Sequence, residues 1–242
     1  MKYSLKTSDA IELLKDLPSK SVSMILTDPP YNIGVENRGD FGFSGLYGSE
    51  SSKNKGKTDW DSIEFQIIPF LQEAKRVLTT RGCLIFFFDV WKITPIRQTL
   101  QDLGFNNIRL LTWEKSNPSP FKTGSSGYLP SVTEHAIFAM QSKRGGIDTP
   151  ERHTGIFRHP KPNRKQRGIY SYAMKPLDLL TDMIERHTIE GETIVDPFMG
   201  SGSTAIAALK LQRKFIGGDI HNDFVEAVRS YLFRNFPNCT EL

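Results

Sequence analysis

The sequence predicts an α/β fold with a doubly wound, mainly parallel sheet. Along the chain of 242 residues, short apolar runs alternate with segments of helical periodicity, which is the pattern of βαβ units. Two of the runs, SVSMILT at 21–27 and GCLIFFFD at 82–89, are almost continuously apolar. Strands have this composition when helices cover both faces of a parallel sheet. The length suits one such domain with insertions.

The predicted strands are apolar runs bounded by turn residues or charges. A Pro/Gly/Ser-rich loop separates the run at 107–116 from the run at 134–141, and a glycine loop follows the strand that ends at residue 195. In chain order, the predicted strands are 2–7, 21–27, 82–89, 107–116, 134–141, 193–195 and 214–220.

The predicted helices have apolar residues at a spacing of three to four. Ser8 or Asp9 is the predicted N-cap of the first helix, Gly104 ends the third, and Pro176 lies in the first turn of the fourth. In chain order, the predicted helices are 8–18, 63–80, 93–105, 175–187, 203–211 and 223–236.

Two segments lack a convincing period. Residues 37–60 are rich in Gly, Ser and charge, so we expect a long mobile loop of the kind that is usually functional or disordered. Residues 142–174 are strongly basic. Between residues 143 and 175, nine Lys and Arg residues and two acidic residues give a net charge of +7, so the rest of the chain carries −3 of the total +4. This local charge indicates a polyanionic partner. The alternative is that the segment is an ordinary solvated surface that binds no partner.

Composition excludes several classes of protein. No apolar stretch is long enough to span a bilayer and no signal-peptide block is present, so we expect no membrane association and a cytoplasmic protein. With only two cysteines, the chain has neither a disulfide framework nor a zinc site, and we expect no metal.

The segment TDPPYNIG directly follows the apolar run 21–27. Neither proline can donate to a sheet ladder, and each pushes the preceding residue towards extended geometry, so the strand ends abruptly in a stiff corner. Asp28 and Tyr31 then project from that corner. An isolated D-P-P is often only a turn, so other residues must decide its role.

A second segment, DPFMGSGST at 196–204, joins a strand to a helix. Gly200 and Gly202 allow backbone to approach a ligand, and the helix start favours an anion. The next strand ends in Asp219, which suits two ribose hydroxyls. Because the full phosphate-binding and dinucleotide-binding patterns are absent, we favour S-adenosylmethionine (SAM), a nucleoside with a carboxylate, over ATP or NAD. The SAM sulfonium can lie near the face of Phe198.

Together, DPPY and DPFMGSG resemble the motifs of the DNA amino-methyltransferases. The catalytic motif precedes the cofactor motif and the basic segment lies between them, an order similar to that of the circularly permuted β group. The resemblance implies a Rossmann-like SAM-dependent methyltransferase fold, with the strands 21–27 and 193–195 side by side. It implies a catalytic part at 1–141, a target-recognition insertion at 142–174 and a cofactor-binding part at 175–242.

The resemblance also implies site residues. The catalytic residues would be Asp28, Pro29, Pro30 and Tyr31. The cofactor residues would be Asp9, Ala10, Asp28, Lys175, Asp196, Phe198, Gly200, Ser201, Gly202, Ser203, Thr204, Asp219 and Ile220. The chain has SYAMKP where the family often has His-Pro-Thr-Gln-Lys-Pro, so only Lys175 and Pro176 match there. Glu134 and His135 precede an apolar strand, and we favour a structural role for them over a general-base role.

The chemistry explains why these residue types are needed. An exocyclic amine is a poor nucleophile, and two acceptors aimed at its N–H groups, the Asp28 carboxylate and the Pro29 carbonyl, would stabilise the positive charge that builds during transfer. The base must first be flipped out of the duplex, and Tyr31 offers it a stacking face. The expected partner is double-stranded DNA, and the candidate DNA contacts are Arg38, Lys143, Arg144, Arg158, Arg164, Lys165 and Arg167.

The favoured activity is adenine-N6 methylation, because in the family Asp at the first motif position usually accompanies adenine and Ser accompanies cytosine. Cytosine-N4 methylation is the alternative. Methylation of RNA or of protein glutamine is a remoter one, since those enzymes usually carry N-P-P-Y after the cofactor motif. A non-enzymatic SAM-binding regulator would not need an intact DPPY. The sequence leaves open a companion restriction endonuclease and a homodimer.

Overall fold

A computed structural model of the chain describes residues 1–30, 66–118, 132–143, 154–162 and 174–242. The predicted loop 37–60 and much of the basic segment therefore lie outside the described residues. Within the described ranges, no helix combines the length and the apolar character that crossing a membrane would require.

Every strand and helix that the sequence predicts is present. The strands are β1 (Lys2–Thr7), β2 (Val22–Thr27), β3 (Leu78–Phe88), β4 (Asn106–Lys115), β5 (Thr133–Met140), β6 (Ile156–His159), β7 (Thr193–Asp196), β8 (Lys214–Asp219) and β9 (Thr240–Glu241). The helices are α1 (Ala10–Lys15), α2 (Ile67–Val77), α3 (Ile93–Asp102), α4 (Leu177–His187), α5 (Ser203–Lys210) and α6 (Asn222–Asn235).

Three details differ from the prediction. Helix α2 ends at Val77 and β3 begins at the next residue, whereas the prediction extended the helix to residue 80 and began the strand at residue 82. Strand β6 lies inside the basic segment, where only four residues pair and no period is long enough to be recognised. Strand β9 has two residues and pairs with β1 at the end of the chain.

All nine strands form one sheet in the order β6-β4-β5-β3-β2-β7-β8-β1-β9. Strand β5 is antiparallel to both of its neighbours, β3 and β4, whereas the other pairings are parallel. Eight strands therefore run in one direction, and their carboxyl ends meet at one edge, which we call the carboxyl edge. Because β5 is reversed, it brings its first residues to that edge. The predicted doubly wound, mainly parallel sheet is confirmed.

Strand β2 lies next to β7 at the centre of the sheet, as the resemblance implied, with Met24 opposite Ile194 and Ile25 opposite Val195. Side chains of β2 alternate between two apolar cores. Met24 and Leu26 belong to the core beneath α4, α5 and α6, and Ile25 belongs to the core beneath α1, α2 and α3. All three are fully buried. Burial on both faces explains the continuous apolar sequence and fixes the position of the residues that follow β2.

Candidate active site

Four acidic residues follow four strands at the carboxyl edge. Asp28 directly follows β2, Asp196 is the last residue of β7, Asp219 is the last residue of β8, and Asp9 lies two residues beyond β1. Strands β2, β7, β8 and β1 are consecutive in the sheet. Residues separated by up to 210 positions in the chain are thus brought to one side of the molecule, at the place where open α/β sheets bind ligands.

Asp28 forms an ion pair with Lys175, which lies just before α4. The Asp28 side chain is one-quarter exposed, whereas Lys175 is buried. Pro29 is also buried and Pro30 is half-buried, so the corner after β2 is held by packing as well as by its proline rings. Tyr31 lies outside the described residues.

Lys175 contacts more than one acidic group. Its Nζ lies 3.1 Å from a carboxylate oxygen of Glu134 and 4.6 Å from the centroid of the Phe87 ring. Burial alone would lower the pKa of Lys175, but the charges of Asp28 and Glu134 outweigh burial and raise that pKa above its ordinary value. Lys175 is therefore a buried ammonium between two carboxylates.

Asp196 is the buried carboxyl that joins β7 to β2. Thr27 Oγ1 donates a hydrogen bond of 2.6 Å to Asp196 Oδ1, and the backbone N–H of Phe198 donates to the same oxygen at 3.2 Å. The hydroxyl of Thr204, in the first turn of α5, also contacts it. Burial raises the pKa of Asp196 to about 6, although these hydrogen bonds oppose the shift. The carboxyl thus holds together β2, β7 and the start of α5.

The two glycines of the loop have different surroundings. Both have positive φ, +48° at Gly200 and +75° at Gly202. Among the described residues, a Cβ at Gly200 would meet no atom closer than the Phe198 carbonyl oxygen, 3.9 Å away, so this part of the structure leaves that side of the loop open to a ligand. A Cβ at Gly202 would lie 2.7 Å from both methyl carbons of Val228 on α6. Gly202 is therefore needed for helix packing, and Gly200 borders open space.

Asp219 braces the glycine loop. One carboxylate oxygen accepts from the Gly200 N–H at 3.0 Å, and the other accepts from the His221 N–H at 2.9 Å. Burial raises the pKa of Asp219, and the hydrogen bonds from these N–H groups oppose the shift. The neighbouring Ile220 is 45% exposed and presents an apolar side chain at the same edge.

Asp9 is the N-cap of α1, as one of the two sequence alternatives predicted. Its carboxylate accepts from the N–H groups of Ile11 at 2.8 Å and Glu12 at 3.4 Å. The Ser8 N–H donates to the Asp219 carbonyl at 3.0 Å, which places the start of α1, including the buried Ala10, beside the end of β8. The N-cap of α1 and the Ser8–Asp219 hydrogen bond thus bring together the cofactor candidates at 9–10 and 219–220.

The remaining cofactor candidates belong to the same loop and helix. Phe198 is half-buried, with its ring edge-to-face against Phe70 at 6.0 Å. Ser203 and Thr204 form the first turn of α5 and are buried, and Ser201 is half-buried. The N-cap of α5 is Gly202, which has no side chain that could occupy the N–H groups of the first turn.

The candidate DNA contacts are less closely grouped. Arg158 lies in β6, is 70% exposed along its side chain, and pairs with Glu114 of β4 at 3.0 Å. Lys143 follows the reversed β5 and so lies at the opposite edge of the sheet from Asp28. The other five candidates, Arg38, Arg144, Arg164, Lys165 and Arg167, lie outside the described residues.

Three residues at the site were not singled out for it by sequence. Thr27 and Phe87 read as ordinary strand residues, and Glu134 was interpreted as structural. Glu134 reaches the carboxyl edge because β5 is antiparallel, and strand direction leaves no local signal in the sequence. Trp113 and Phe86 to Phe88 are buried in the two apolar cores and so are packing residues.

The sheet and its carboxyl-edge site define the class: a Rossmann-like, SAM-dependent DNA methyltransferase of the β group. The chain belongs to the DNA methylase family, whose model matches residues 22–230. It is 29% identical to the type II methyltransferase M2.DpnII of Streptococcus pneumoniae over 96% of this chain and 90% of that protein.

Solved structures share the fold. The M1.HpyAVI–SAM complex has a TM-score of 0.71 at 24% identity and covers 95% of this chain and 98% of that one. The cytosine-N4-specific PvuII DNA methyltransferase has a TM-score of 0.72 at 14% identity, with 100% and 95% coverage. This fold is therefore shared with an enzyme that is specific for cytosine.

The residues at the carboxyl edge fit SAM. A zwitterionic nucleoside needs an acidic group for its ribose, an apolar surface for its base and polar groups for its amino-acid end. Asp219, Ile220 and the open face at Gly200 lie together, and Lys175 is the buried cation nearby. The donor set contains oxygen and nitrogen groups suited to an organic ligand, and the described residues contain no cluster of His, Cys, Asp or Glu that could hold a metal ion.

The raised pKa of Asp196 predicts a pH dependence of stability. The folded protein binds a proton more tightly than the unfolded chain between pH 3.8 and about 6, so the free energy of unfolding should fall as the pH rises through this window. The isosteric Asp196→Asn change removes this ionisation. As the pH rises through the window, the free energy of unfolding of the variant should therefore increase relative to that of wild type by on the order of 3 kcal/mol. Urea denaturation of the cofactor-free protein at a series of pH values measures this difference. Parallel pH profiles would contradict it.

The two glycines predict different responses to alanine. Both changes incur the cost of a left-handed conformation, about 1 kcal/mol, but only Gly202→Ala forces a methyl group against Val228. We expect Gly202→Ala to lower the free energy of unfolding by ~1–3 kcal/mol more than Gly200→Ala does.

A double-mutant cycle with Val228→Ala supplies the control for this comparison. The smaller side chain should relieve the Gly202→Ala defect and leave the Gly200→Ala defect unchanged, giving a coupling energy for one pair only. Equal destabilisation by the two glycine changes would show that the contact with α6 does not decide the role of Gly202.

Proposed function

We propose that this protein transfers the methyl group of SAM to the N6 amine of an adenine flipped out of double-stranded DNA. The observation that carries the proposal is the position of Asp28, Pro29 and Pro30. They leave β2 directly beside Asp196 and the glycine loop of β7, so an amine acceptor and a cofactor loop share one edge of the sheet. Methyl transfer requires the amine acceptor and the methyl donor to lie next to each other, as two groups at neighbouring strand ends do.

Asp28 and Pro29 are the groups that we assign to the amine. When the Asp28 carboxylate and the Pro29 carbonyl accept hydrogen bonds from the two N–H groups, they favour a pyramidal nitrogen and stabilise its developing positive charge. Tyr31 would stack on the extruded base, and such stacking contributes ~1–3 kcal/mol. The stiffness of the proline pair keeps the two acceptors aimed without further ordering on binding.

The cofactor supplies an electrophilic methyl group on a sulfonium. We assign Asp219 to its ribose, Ile220 to its adenine and the Gly200 side of the loop, with Ser201, to its amino-acid end. Phe198 would face the sulfonium, and Ala10 would line the adenine pocket. Asp196, Ser203 and Thr204 would hold the loop in shape. Asp9 would act through the N-cap of α1, which keeps Ala10 beside β8.

Adenine is favoured over cytosine by the aspartate at position 28, because a serine usually occupies this position in cytosine-N4 enzymes. The fold does not discriminate, since the PvuII enzyme shares it. Substrates of other classes are disfavoured by motif order, with the catalytic motif at 28–31 preceding the cofactor motif at 196–202. The name type II methyltransferase that M2.DpnII carries supports a further proposal, that a restriction endonuclease of the same site specificity accompanies this protein.

Target recognition is assigned to the basic segment 142–174. Its net charge is concentrated between the catalytic strands and the cofactor loop in sequence, and Arg158 is an exposed member on β6, an outer strand of the sheet. Arg164, Lys165 and Arg167 are the densest basic run of the segment.

The catalytic assignment is tested by changing Asp28→Asn. The amide retains the shape but replaces one acceptor by a donor, so methyl transfer should fall by about 10²- to 10³-fold. SAM affinity, measured by calorimetry, should be largely retained. The assay is transfer of tritiated methyl from SAM to unmethylated duplex DNA, followed by nucleoside chromatography, which separates N6-methyl-2′-deoxyadenosine from N4-methyl-2′-deoxycytidine.

Asp102→Asn is the matched control for this experiment, because Asp102 is an exposed carboxylate at the end of α3. It should leave transfer at the wild-type rate. If the label appeared in the methylated cytosine nucleoside, the target base would be cytosine and not adenine. If Asp28→Asn transferred methyl at a near-normal rate, Asp28 would have no role in the catalytic step.

The DNA assignment predicts a change in salt dependence. Each phosphate contact that is lost should reduce the slope of log affinity against log salt by about one. Single Ala variants of Arg164, Lys165 and Arg167 are measured on cognate and scrambled duplexes. A phosphate contact should weaken both duplexes and flatten the slope, whereas a base contact should reduce discrimination by ~1–3 kcal/mol.

Lys210→Ala is the control, because Lys210 is an exposed lysine at the far end of α5, away from the carboxyl edge. Its slope should equal that of wild type. If all three variants in the basic run match this control, the segment is a solvated surface, and recognition must be sought elsewhere, first in the loop 37–60.

A further inference from the structure

Four charged residues form a chain of alternating sign that ends at Asp28. Lys115 Nζ lies 3.0 Å from one carboxylate oxygen of Glu134, and Lys175 Nζ lies 3.1 Å from the other. Lys175 in turn pairs with Asp28. The members come from the end of β4, the start of β5, the segment before α4 and the corner after β2. Glu134 thus binds the cation that also pairs with Asp28.

The burial of this chain makes the second carboxylate necessary. The Lys175 side chain is 9% exposed and rests on the Phe87 ring, so little water remains to solvate its ammonium. Removing a charge from water costs several kcal/mol unless partners replace the solvent. Asp28 supplies one partner and Glu134 supplies the other, while the aromatic face contributes a weaker attraction.

The position of Glu134 is fixed by the sheet. In β5, Glu134 is paired with Trp113 of β4, whose indole is buried, and the Lys115 N–H donates to the Val132 carbonyl at 2.8 Å. The start of β5 is therefore held at the carboxyl edge by backbone bonds as well as by the ion pair with Lys115. A carboxylate on such a rigid strand can orient a flexible lysine more precisely than a carboxylate on a loop can.

We propose that Glu134 is a positioning residue for methyl transfer: it anchors the Lys175 ammonium and thereby holds the Asp28 carboxylate oriented towards the amine. The inference rests on the proposed function, in which Asp28 accepts from the amine. Glu134 acts through Lys175 and is not itself assigned a contact with the substrate. Sharing of the ammonium between two carboxylates leaves Asp28 a stronger acceptor than it would be if it were the sole partner of a buried lysine.

The charges around Lys175 give the proposal a pH signature. The groups that face this network are Asp28 after β2, Glu134 on β5 and Lys115 on β4, and Asp196 at the end of β7 interacts electrostatically with Asp28. Although burial alone would lower the pKa of Lys175, Asp28 and Glu134 raise it, so loss of the Glu134 charge should lower it. Activity that requires the ammonium should then decline at a lower pH than in wild type.

The test compares Glu134→Gln with wild type and with Glu73→Gln. Glu73 is a suitable control because it too is a largely buried carboxylate in an ion pair, 21% exposed against 28% for Glu134, but it pairs with Arg76 on α2, near the opposite edge of the sheet. For Glu134→Gln we expect kcat to fall by roughly 10- to 100-fold, the scale produced by misplacing a catalytic group. KM for DNA should change little, and the alkaline limb of the kcat profile should move to lower pH.

A second readout is independent of activity. In protein labelled with ¹³C at lysine Cε, the Lys175 resonance is identified by its loss in Lys175→Met and is then titrated. It should titrate at lower pH in Glu134→Gln than in wild type, and Glu73→Gln should match wild type. Glu134→Asp, which keeps the charge on a shorter side chain, should restore the titration and part of kcat.

The outcomes separate the two proposals. If wild type transfers no methyl group to DNA, the proposed function fails whatever the lysine does. If wild type is active but Lys175 titrates alike in wild type and Glu134→Gln, or if kcat and its alkaline limb are unchanged, the role of Glu134 is overturned. If the thermal transition shows that Glu134→Gln is poorly folded, Glu134→Asp decides the question. The proposal is supported if this variant keeps part of the wild-type kcat and has the alkaline limb of wild type, and it is overturned if the variant is inactive.

Discussion

The pairing of β2 with β7 is the constraint on which the site depends. It places the residue after one strand beside the last residue of the other, although they are far apart in the chain. The hydrogen bond from Thr27 to Asp196 closes this pair at its end, inside the core and away from water. Without that adjacency, the rigid corner at Asp28 and the glycine loop after β7 would not lie side by side at the carboxyl edge. The remaining helices and strands keep these two strands central and buried on both faces.

Electrostatics at the site follow from that burial. Asp196 and Asp28 approach one another, and the structure meets the cost of two neighbouring carboxyls in different ways. Asp196 receives hydrogen bonds from two threonine hydroxyls and a backbone N–H, and it retains a proton more readily than a solvated aspartic acid. Asp28 is instead paired with a lysine. Asp196 is thus held by hydrogen bonds, whereas Asp28 is held by an ion pair. An ion-paired carboxylate suits a role as a hydrogen-bond acceptor.

Much of the fold was predictable because its signals are local. Continuous apolar runs such as 21–27 report burial on both faces, and the cap at Asp9 and the glycine at 104 report helix ends. The candidate site could be predicted where its described residues lie in contiguous motifs, at 28–30 and 196–204, which the sheet brings to one edge. Glu134 and Thr27 were not predictable as site residues, since their placement depends on which strands are neighbours and on the reversed direction of β5. Strand β6 was missed because four paired residues in a basic segment carry too little pattern.

The unequal surroundings of Gly200 and Gly202 bear on how such a loop changes during evolution. Position 202 is tied to position 228, because the space that a side chain would need is already filled by the valine methyl groups of α6. A lineage could accept a larger residue at 202 only after, or together with, a smaller one at 228. Position 200 has no such protein neighbour. Covariation between 202 and 228 would therefore record helix packing, whereas retention of glycine at 200 would record the approach of the ligand.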